Sequence, residues 1–311
     1  MHRLIIDTDP GVDDAQAILM ATAHSNAKVE ALMAVGGNVG LEHTVRNALS
    51  LTEVIGQEIP VFAGCGPPLV MFQEDAAKWH GADGIGGASF EPQRKAEAEH
   101  ASLALVRMVN AEPDELTLVA IGPLTNIAVA LKLDPELPRK VKRFVVMGGA
   151  VTARGNTSNV SAEFNIFYDP EAAHIVFEAW TKAGRMIDLI DWEATVRHGI
   201  SAEVIDRCYA IETPKAQFFR DFSRRSIGLA AEREGKRFMY GADPLAMSVA
   251  LEPEIVTHAE QRHLTIELTG AHTRGQTVVD WRNRLGNRPN VNIVMALDIG
   301  RFHDLLVESL L

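Results

Sequence analysis

Short apolar and β-branched runs alternate with stretches of helical periodicity from the first residues to well past the middle of the chain. Residues 4–8, 29–35, 116–121, 141–147 and 186–190 read as strands. Between them, positions such as Ala172, Ala173, Val176, Ala179, Trp180 and Ala183 recur at helical spacing and imply one buried face. Strand–helix–strand alternation demands crossover connections. The expected class is therefore α/β: an open, mostly parallel sheet with helices on both faces and a Rossmann-like core. Around residues 264–268 and 277–281 the period approaches two, with Thr269-Gly270 and Arg274-Gly275 as turn signals, which predicts a late β-hairpin before a final helix over 299–310. No internal repeat, low-complexity tract or Pro/Ser-rich linker interrupts the pattern, so a single domain over residues 1–311 is expected. A domain of this length buries ~75% of its unfolded surface and needs no disulfide or metal staple.

In such a sheet ligands bind beyond the carboxyl ends of the strands. The segments to inspect are residues 7–14, 36–40, 122–126 and 148–165. The first packs four carboxylates, Asp7, Asp9, Asp13 and Asp14, into eight residues, and no Lys or Arg lies between Arg3 and Lys28. Pro10-Gly11 signals a turn and residues 15–23 a helix, so the segment is strand, tight turn, helix. Asp7 and Asp9 share a strand face. Asp13 and Asp14 fall in the first helical turn, where acids suit the helix dipole. That plainer reading covers Asp13 and Asp14 but not Asp9, which the turn folds back towards them. Converging carboxylates repel unless a proton or a cation separates them, and an all-oxygen donor set favours a hard cation, Ca²⁺ or Mg²⁺.

Charge narrows the partners. Lys and Arg total 30 against 41 Asp and Glu, a net charge of −11 that opposes binding to nucleic-acid polymers and anionic membranes. A nucleoside carries no phosphate and is not excluded. Cys65 and Cys208 have neither CxxC nor zinc spacing and read as reduced thiols. The chain opens without a charged-then-apolar leader and has no apolar run of eighteen residues, so a soluble, cytoplasmic protein is expected.

Rival motifs fail on the same residues. An EF-hand loop starting at Asp7 needs Gly and Glu where Val12 and Ile18 stand, and a haloacid dehalogenase-like phosphatase needs Thr or Val where Gly11 stands. Neither Gly36-Gly37-Asn38-Val39-Gly40 nor Gly84-Ile85-Gly86-Gly87 is a dinucleotide fingerprint. Residues 7–15, Asp-Thr-Asp-Pro-Gly-Val-Asp-Asp-Ala, instead resemble the N-terminal signature of the nucleoside hydrolases, the inosine–uridine-preferring N-ribosylhydrolases. The resemblance continues in Gly37-Asn38-Val39, His80-Gly81-Ala82-Asp83-Gly84, Ile121-Gly122-Pro123-Leu124-Thr125-Asn126 and Met147-Gly148-Gly149. It extends through residues 162–173 and Ala242-Asp243-Pro244, in order and at matching spacing.

The resemblance implies one Ca²⁺ held by Asp9, Asp14, the main-chain carbonyl of Ile121 and Asp243, with Asp9 also the general base for the attacking water. It implies Asp13 and Asn165 on the 2′- and 3′-hydroxyls of ribose, Glu163 and Asn156 on the 5′-hydroxyl, and Asn38 and the main chain at Met147 beside the sugar. Asn159 competes with Asn156 for its role. The implied reaction is hydrolysis of the N-glycosidic bond of a ribonucleoside by direct attack of water, through an oxocarbenium-like transition state and without a covalent intermediate. A homodimer or homotetramer is also implied.

The pattern departs from the family at one place. Members often carry His just before the Asp matched by Asp243, as proton donor to the leaving base, and here Ala242 stands instead. That brings forward a second reading, a hydrolase of the same fold acting on a nicotinamide or modified-base riboside. A third is a nucleoside sensor without turnover, which would have no need of the base Asp9. His80, in a Gly-rich loop, reads either as a group closing over the substrate or as a solvent-exposed imidazole. Trp192 reads either as a base-stacking ring or as a packing residue. Phe218, Phe219 and Phe222, with Arg220, Arg224 and Arg225, fall where family members build the base pocket, although the i,i+4 spacing of Phe218 and Phe222 suits core packing. The two tyrosines of the family's pyrimidine-preferring pattern are not both expected here, where Tyr240 stands shortly before Asp243.

Overall fold

The strand β1 (His2–Thr8) shows why the apolar runs are continuous rather than alternating: Leu4 and Ile6 enter one hydrophobic cluster while Ile5 enters the opposite one. A strand buried on both faces has no solvent side to mark. The computed structural model describes residues 1–71, 75–88 and 90–311. Its further strands are β2 (Ala27–Ala34), β3 (Val61–Ala63), β4 (Leu116–Ala120), β5 (Arg143–Met147), β6 (Ile187–Ile190), β7 (Ile200–Ser201), β8 (Phe238–Met239), β9 (Val256–Arg262), β10 (Leu264–Ile266), β11 (Thr277–Val279) and β12 (Val291–Leu297). The helices are α1 (Val12–Ala23), α2 (Leu41–Ile55), α3 (Ala77–His80), α4 (Ala101–Ala111), α5 (Thr125–Leu133), α6 (Leu137–Lys140), α7 (Phe164–Tyr168), α8 (Pro170–Ala183), α9 (Trp192–Arg197), α10 (Ala202–Tyr209), α11 (Pro214–Glu234), α12 (Ala242–Leu251) and α13 (Ile299–Glu308).

The central sheet has the order β3-β2-β1-β4-β5-β6-β12-β9. Its pairs are parallel apart from β12–β9. Helices α1, α2, α12 and α13 contribute to the core on one face, and α4, α5 and α8 to the core on the other. The expected α/β class with its Rossmann-like core is therefore the observed one. The order runs outward from β1 to β3, then resumes on the other side of β1 at β4. That reversal opens a crevice between the carboxyl ends of β1 and β4.

The late hairpin forms as β10 and β11, antiparallel, and its Leu264 and Ile266 join the α8-side core. Three sheet strands do not emerge from the sequence pattern: β3, β9 and β12. β12 extends the parallel run beyond β6, and β9 closes the sheet as an antiparallel edge. Among the described residues no helix is long and apolar enough to cross a membrane.

Candidate active site

β1 ends at Thr8, and the chain turns through Asp9, Pro10 and Gly11 into α1, whose first turn holds Asp13 and Asp14. Asp9 and Ile121 lie one residue beyond β1 and β4, side by side at the crevice. α12 brings Asp243 from far along the chain to the same place. Ligand oxygens of Asp13, Asp14 and Asp243 all lie within 4.8 Å of one another. Asp14 and Asp243 are buried and Asp13 is half-buried. Sequence reasoning assigned Asp13 to the sugar. The structure seats it in the tight acidic group as well, its carboxylate facing the backbone N–H groups of Asp243 and Ala242.

The partners of each acid differ. Asp14 accepts from Thr8 Oγ1 at 2.5 Å through one oxygen, and from Gly11 N–H at 2.9 Å and Asn38 Nδ2 at 3.1 Å through the other. Asp9 Oδ2 accepts from Asn38 N–H at 2.7 Å, while Asp9 Oδ1 is buried with no hydrogen-bond partner among the described residues. A buried, unpaired carboxylate oxygen costs free energy unless something charged meets it. Burial together with the charges of Asp14 and Asp13 pushes Asp9 well above the ordinary carboxylate range. Burial and the charges of Asp13, Asp14 and Asp9 do the same to Asp243. Asp13 is pushed up to about 6, chiefly by burial. Four acids raised together, with an orphaned oxygen among them, fit a divalent cation, which would reverse every one of these shifts.

Two glycines make room for Asp9. A Cβ on Gly122 would stand 2.6 Å from Asp9 Oδ1, and one on Gly37 would overlap Asp9 Oδ2. Beneath, Asp7 is buried and points away to Asn126, whose amide donates to Asp7 Oδ2 at 2.9 Å and to the Ala34 carbonyl at 3.2 Å. Asn126 Oδ1 accepts from Cys65 N–H, so one side chain ties the ends of β1, β2 and β3 together. Thr8 and Asn126 escaped sequence reasoning as site residues. Thr8 at least carries a signal, a hydroxyl set between two acids at the end of a strand.

Of the sugar-side candidates, Asn165, Asn38 and Glu163 also gather here, and Asn156 does not. Asn165 Nδ2 donates to the Ile121 carbonyl at 3.1 Å and to the Met147 carbonyl at 3.3 Å, bridging the ends of β4 and β5. Asn38 packs across Asp9 and Asp14. Glu163 caps α7, accepting from Asn165 N–H at 2.8 Å and Ile166 N–H at 3.2 Å, and it braces Gly149 N–H at 2.9 Å. Burial pushes it up to about 7. Asn156 lies exposed in the loop before α7. Asn159 is committed to that loop: its Oδ1 accepts from Ser161 and Ala162 N–H and its Nδ2 donates to the Arg274 carbonyl.

His80 ends α3 with Nδ1 accepting from Val12 N–H at 3.1 Å, above the start of α1, and burial pushes it down to about 4. The imidazole is neutral at neutral pH, half-buried, and placed at the acidic cluster rather than in open solvent. Phe218, Phe219 and Phe222 are buried and stack edge-on at 5.4–5.5 Å, so they pack the core. Arg220 caps the carbonyls of Tyr209 and Ile211, and Arg225 reaches the Lys78 carbonyl.

With this geometry in hand, the chain matches the family model for inosine-uridine preferring nucleoside hydrolase over residues 4–304. An inosine-uridine preferring nucleoside hydrolase of Leishmania major is 36% identical over 319 residues, covering 99% of this chain and 97% of the relative. A pyrimidine-specific ribonucleoside hydrolase of Enterobacter sp. (strain 638) is likewise 36% identical over 319 residues, with the same coverage. The solved structure of an inosine-guanosine nucleoside hydrolase superposes with a TM-score of 0.91 at 32% identity, covering 100% of this chain and 99% of that one. The three names specify different bases at nearly equal identity.

Proposed function

Because the chain belongs to the inosine-uridine preferring nucleoside hydrolase family, we propose that it hydrolyses the N-glycosidic bond of ribonucleosides to free base and ribose, with Ca²⁺ as its metal. The observation that carries this reading is the acidic cluster of Asp13, Asp14 and Asp243, with Asp9 beside it and its buried Oδ1 left unpaired. Asp9, Asp14, the Ile121 carbonyl and Asp243 are the groups to hold the ion, an all-oxygen set suited to calcium. When bound, calcium supplies positive charge that makes a nearby water more acidic and orients the sugar diol.

This chain's own residues do the rest. Asn38 N–H occupies Asp9 Oδ2, which leaves Oδ1 to take the proton from the attacking water. Asp13 and Asn165 receive the 2′- and 3′-hydroxyls. Glu163 and Asn156 meet the 5′-hydroxyl, with Asn38, His80 and the backbone at Met147 beside the ring. The surrounding carboxylates stabilise the ribosyl cation as the bond to the base lengthens. Water attacks directly. Ala242 offers the leaving base no proton, which favours as a second reading a riboside whose base leaves without one, such as a nicotinamide riboside.

Ribose release from a panel of purine, pyrimidine and nicotinamide ribosides tests both readings. Exhaustive chelation should abolish release and added calcium restore it. Full turnover after chelation would overturn the metal assignment. A cytoplasmic homodimer or homotetramer completes the proposal.

A further inference from the structure

We propose that the β10–β11 hairpin, acting through Thr277, is the device that sets Glu163 in place for the 5′ end of the ribose. The inference rests on the nucleoside hydrolase reading and on the placement of Glu163 at the 5′-hydroxyl. Thr277 touches no substrate group in it and is a positioning residue.

The hairpin stands apart from the central sheet as a two-stranded sheet of its own. Thr277 opens β11 opposite Ile266 and is buried. Its target is the peptide unit between Gly149 and Ala150, just beyond β5, whose two ends are held by different elements. The Gly149 carbonyl accepts from Trp192 N–H at 2.9 Å, at the start of α9. The Ala150 N–H donates to Thr277 Oγ1 at 3.0 Å. Gly149 has a φ of +82°, and a Cβ there would stand 2.6 Å from Thr277 Cγ2. Hydroxyl and methyl of one threonine thus bear on one residue, which has to be glycine. With Gly149 pinned on that side, its own N–H meets Glu163 Oε2 at 2.9 Å. Ile166 N–H takes the same oxygen. Oε1 accepts from Asn165 N–H alone among the described residues and keeps capacity for a hydroxyl donor.

The same hairpin holds the far end of the loop that leads to Glu163. Asn159 Nδ2 donates to the Arg274 carbonyl at 2.7 Å, and Ser161 Oγ to the His272 carbonyl at 2.9 Å. Gly275, at a φ of +81°, lies against Phe167 of α7 and against Ala162. Arg274 pairs with Glu171, in the first turn of α8, at 2.7 Å. Between these clamps the amides of Val151, Thr152 and Arg154 go to the carboxylates of Asp191 and Glu193. Residues 150, 159 and 161 are therefore fastened by a hairpin that supplies none of the reacting groups. Loosening such a support costs rate where the supported group meets the substrate, and elsewhere little.

The test measures kcat/KM on inosine and 5′-deoxyinosine and on uridine and 5′-deoxyuridine, and reads the ratio within each pair. The unaltered protein should favour the substrate that carries the 5′-hydroxyl. Thr277→Val keeps the shape and removes the acceptor. It should lower kcat/KM about 10- to 100-fold on inosine or uridine and leave the 5′-deoxy partner within about threefold. Thr277→Ser, which restores the hydroxyl, should recover most of the loss. Ser161→Ala, at the other clamp, should lower the ratio about twofold or more, and it decides the matter if Thr277→Val does not fold. An unchanged ratio, an equal loss on both members of a pair, or no recovery in Thr277→Ser would overturn the role of Thr277. Failures of the underlying reading look different in the unaltered protein. Equal rates on both members of a pair would remove Glu163 from the 5′-hydroxyl, and no base released from either ribonucleoside would remove the hydrolase reading. Either result takes the hairpin's role with it.

Discussion

Asp9 and Asp14 differ in what they have left to offer. Both oxygens of Asp14 already accept hydrogen bonds, while Asp9 keeps one free. Asp9→Asn preserves an oxygen but removes the proposed base, so kcat should fall by ~10²–10⁴-fold while binding of a ribose-containing inhibitor persists. Near-normal turnover with calcium bound would move the base elsewhere. Asp13→Ala should raise KM as well as lower kcat, measured by the same steady-state assay. Glu163 sets a pH trend. Its folded-state pKa of about 7 lies above the ordinary 4.5, so between those values the folded chain binds the proton more tightly than the unfolded one. Its contribution to stability is complete below about 4.5 and fades as pH rises towards 7. Urea midpoints of the chelated protein should decline across that window, and Glu163→Gln should decline less. The acidic cluster was legible because so many uncompensated acids in one turn have few explanations. Thr8 and Asn126 were not, since the partner of an uncharged polar side chain is decided by which strands pack together.

α12 is held at both ends. At its start, the N–H groups of Ala242 and Asp243 face Asp13. At its end, Arg143 donates to the Val249 carbonyl at 2.9 Å and pairs with Asp188 at 2.7 Å. Asp188 also accepts from Asn292 on β12, so one pair links β5, β6, β12 and the helix that carries Asp243. Arg143→Met keeps the aliphatic stem but leaves Asp188 Oδ2 without its partner, and should cost about 1–3 kcal/mol in chemical denaturation. Calcium affinity should weaken with it. Most strands were legible as apolar runs, since a parallel sheet buries both faces. β12 was not, because Val-Asn-Ile-Val-Met-Ala-Leu follows a long polar stretch and an isolated apolar run of that length does not distinguish strand from helix. β9 reads Val-Thr-His-Ala-Glu-Gln-Arg, a polar edge strand whose pairing comes from β12 alone.

Across the whole molecule, the metal should act as a folding ligand. At calcium 100-fold above its Kd the unfolding free energy should rise by about 2.7 kcal/mol, read as a shift in thermal midpoint against the chelated protein. Oligomeric assembly predicts a light-scattering mass of two or four times the 33.9 kDa chain. A monomer at micromolar concentration would contradict it. The strand order brings one further consequence. The floor of the crevice is made by β1 and β4, with Gly37 and Gly122 crowded against Asp9, so those positions admit no side chain without displacing the carboxylate. Asp243 reaches the same crevice from a later stretch of chain, the start of α12. A mutagenic library at positions 37 and 122 should therefore return glycine wherever turnover survives, which makes the crevice floor the part of the chain least open to breeding.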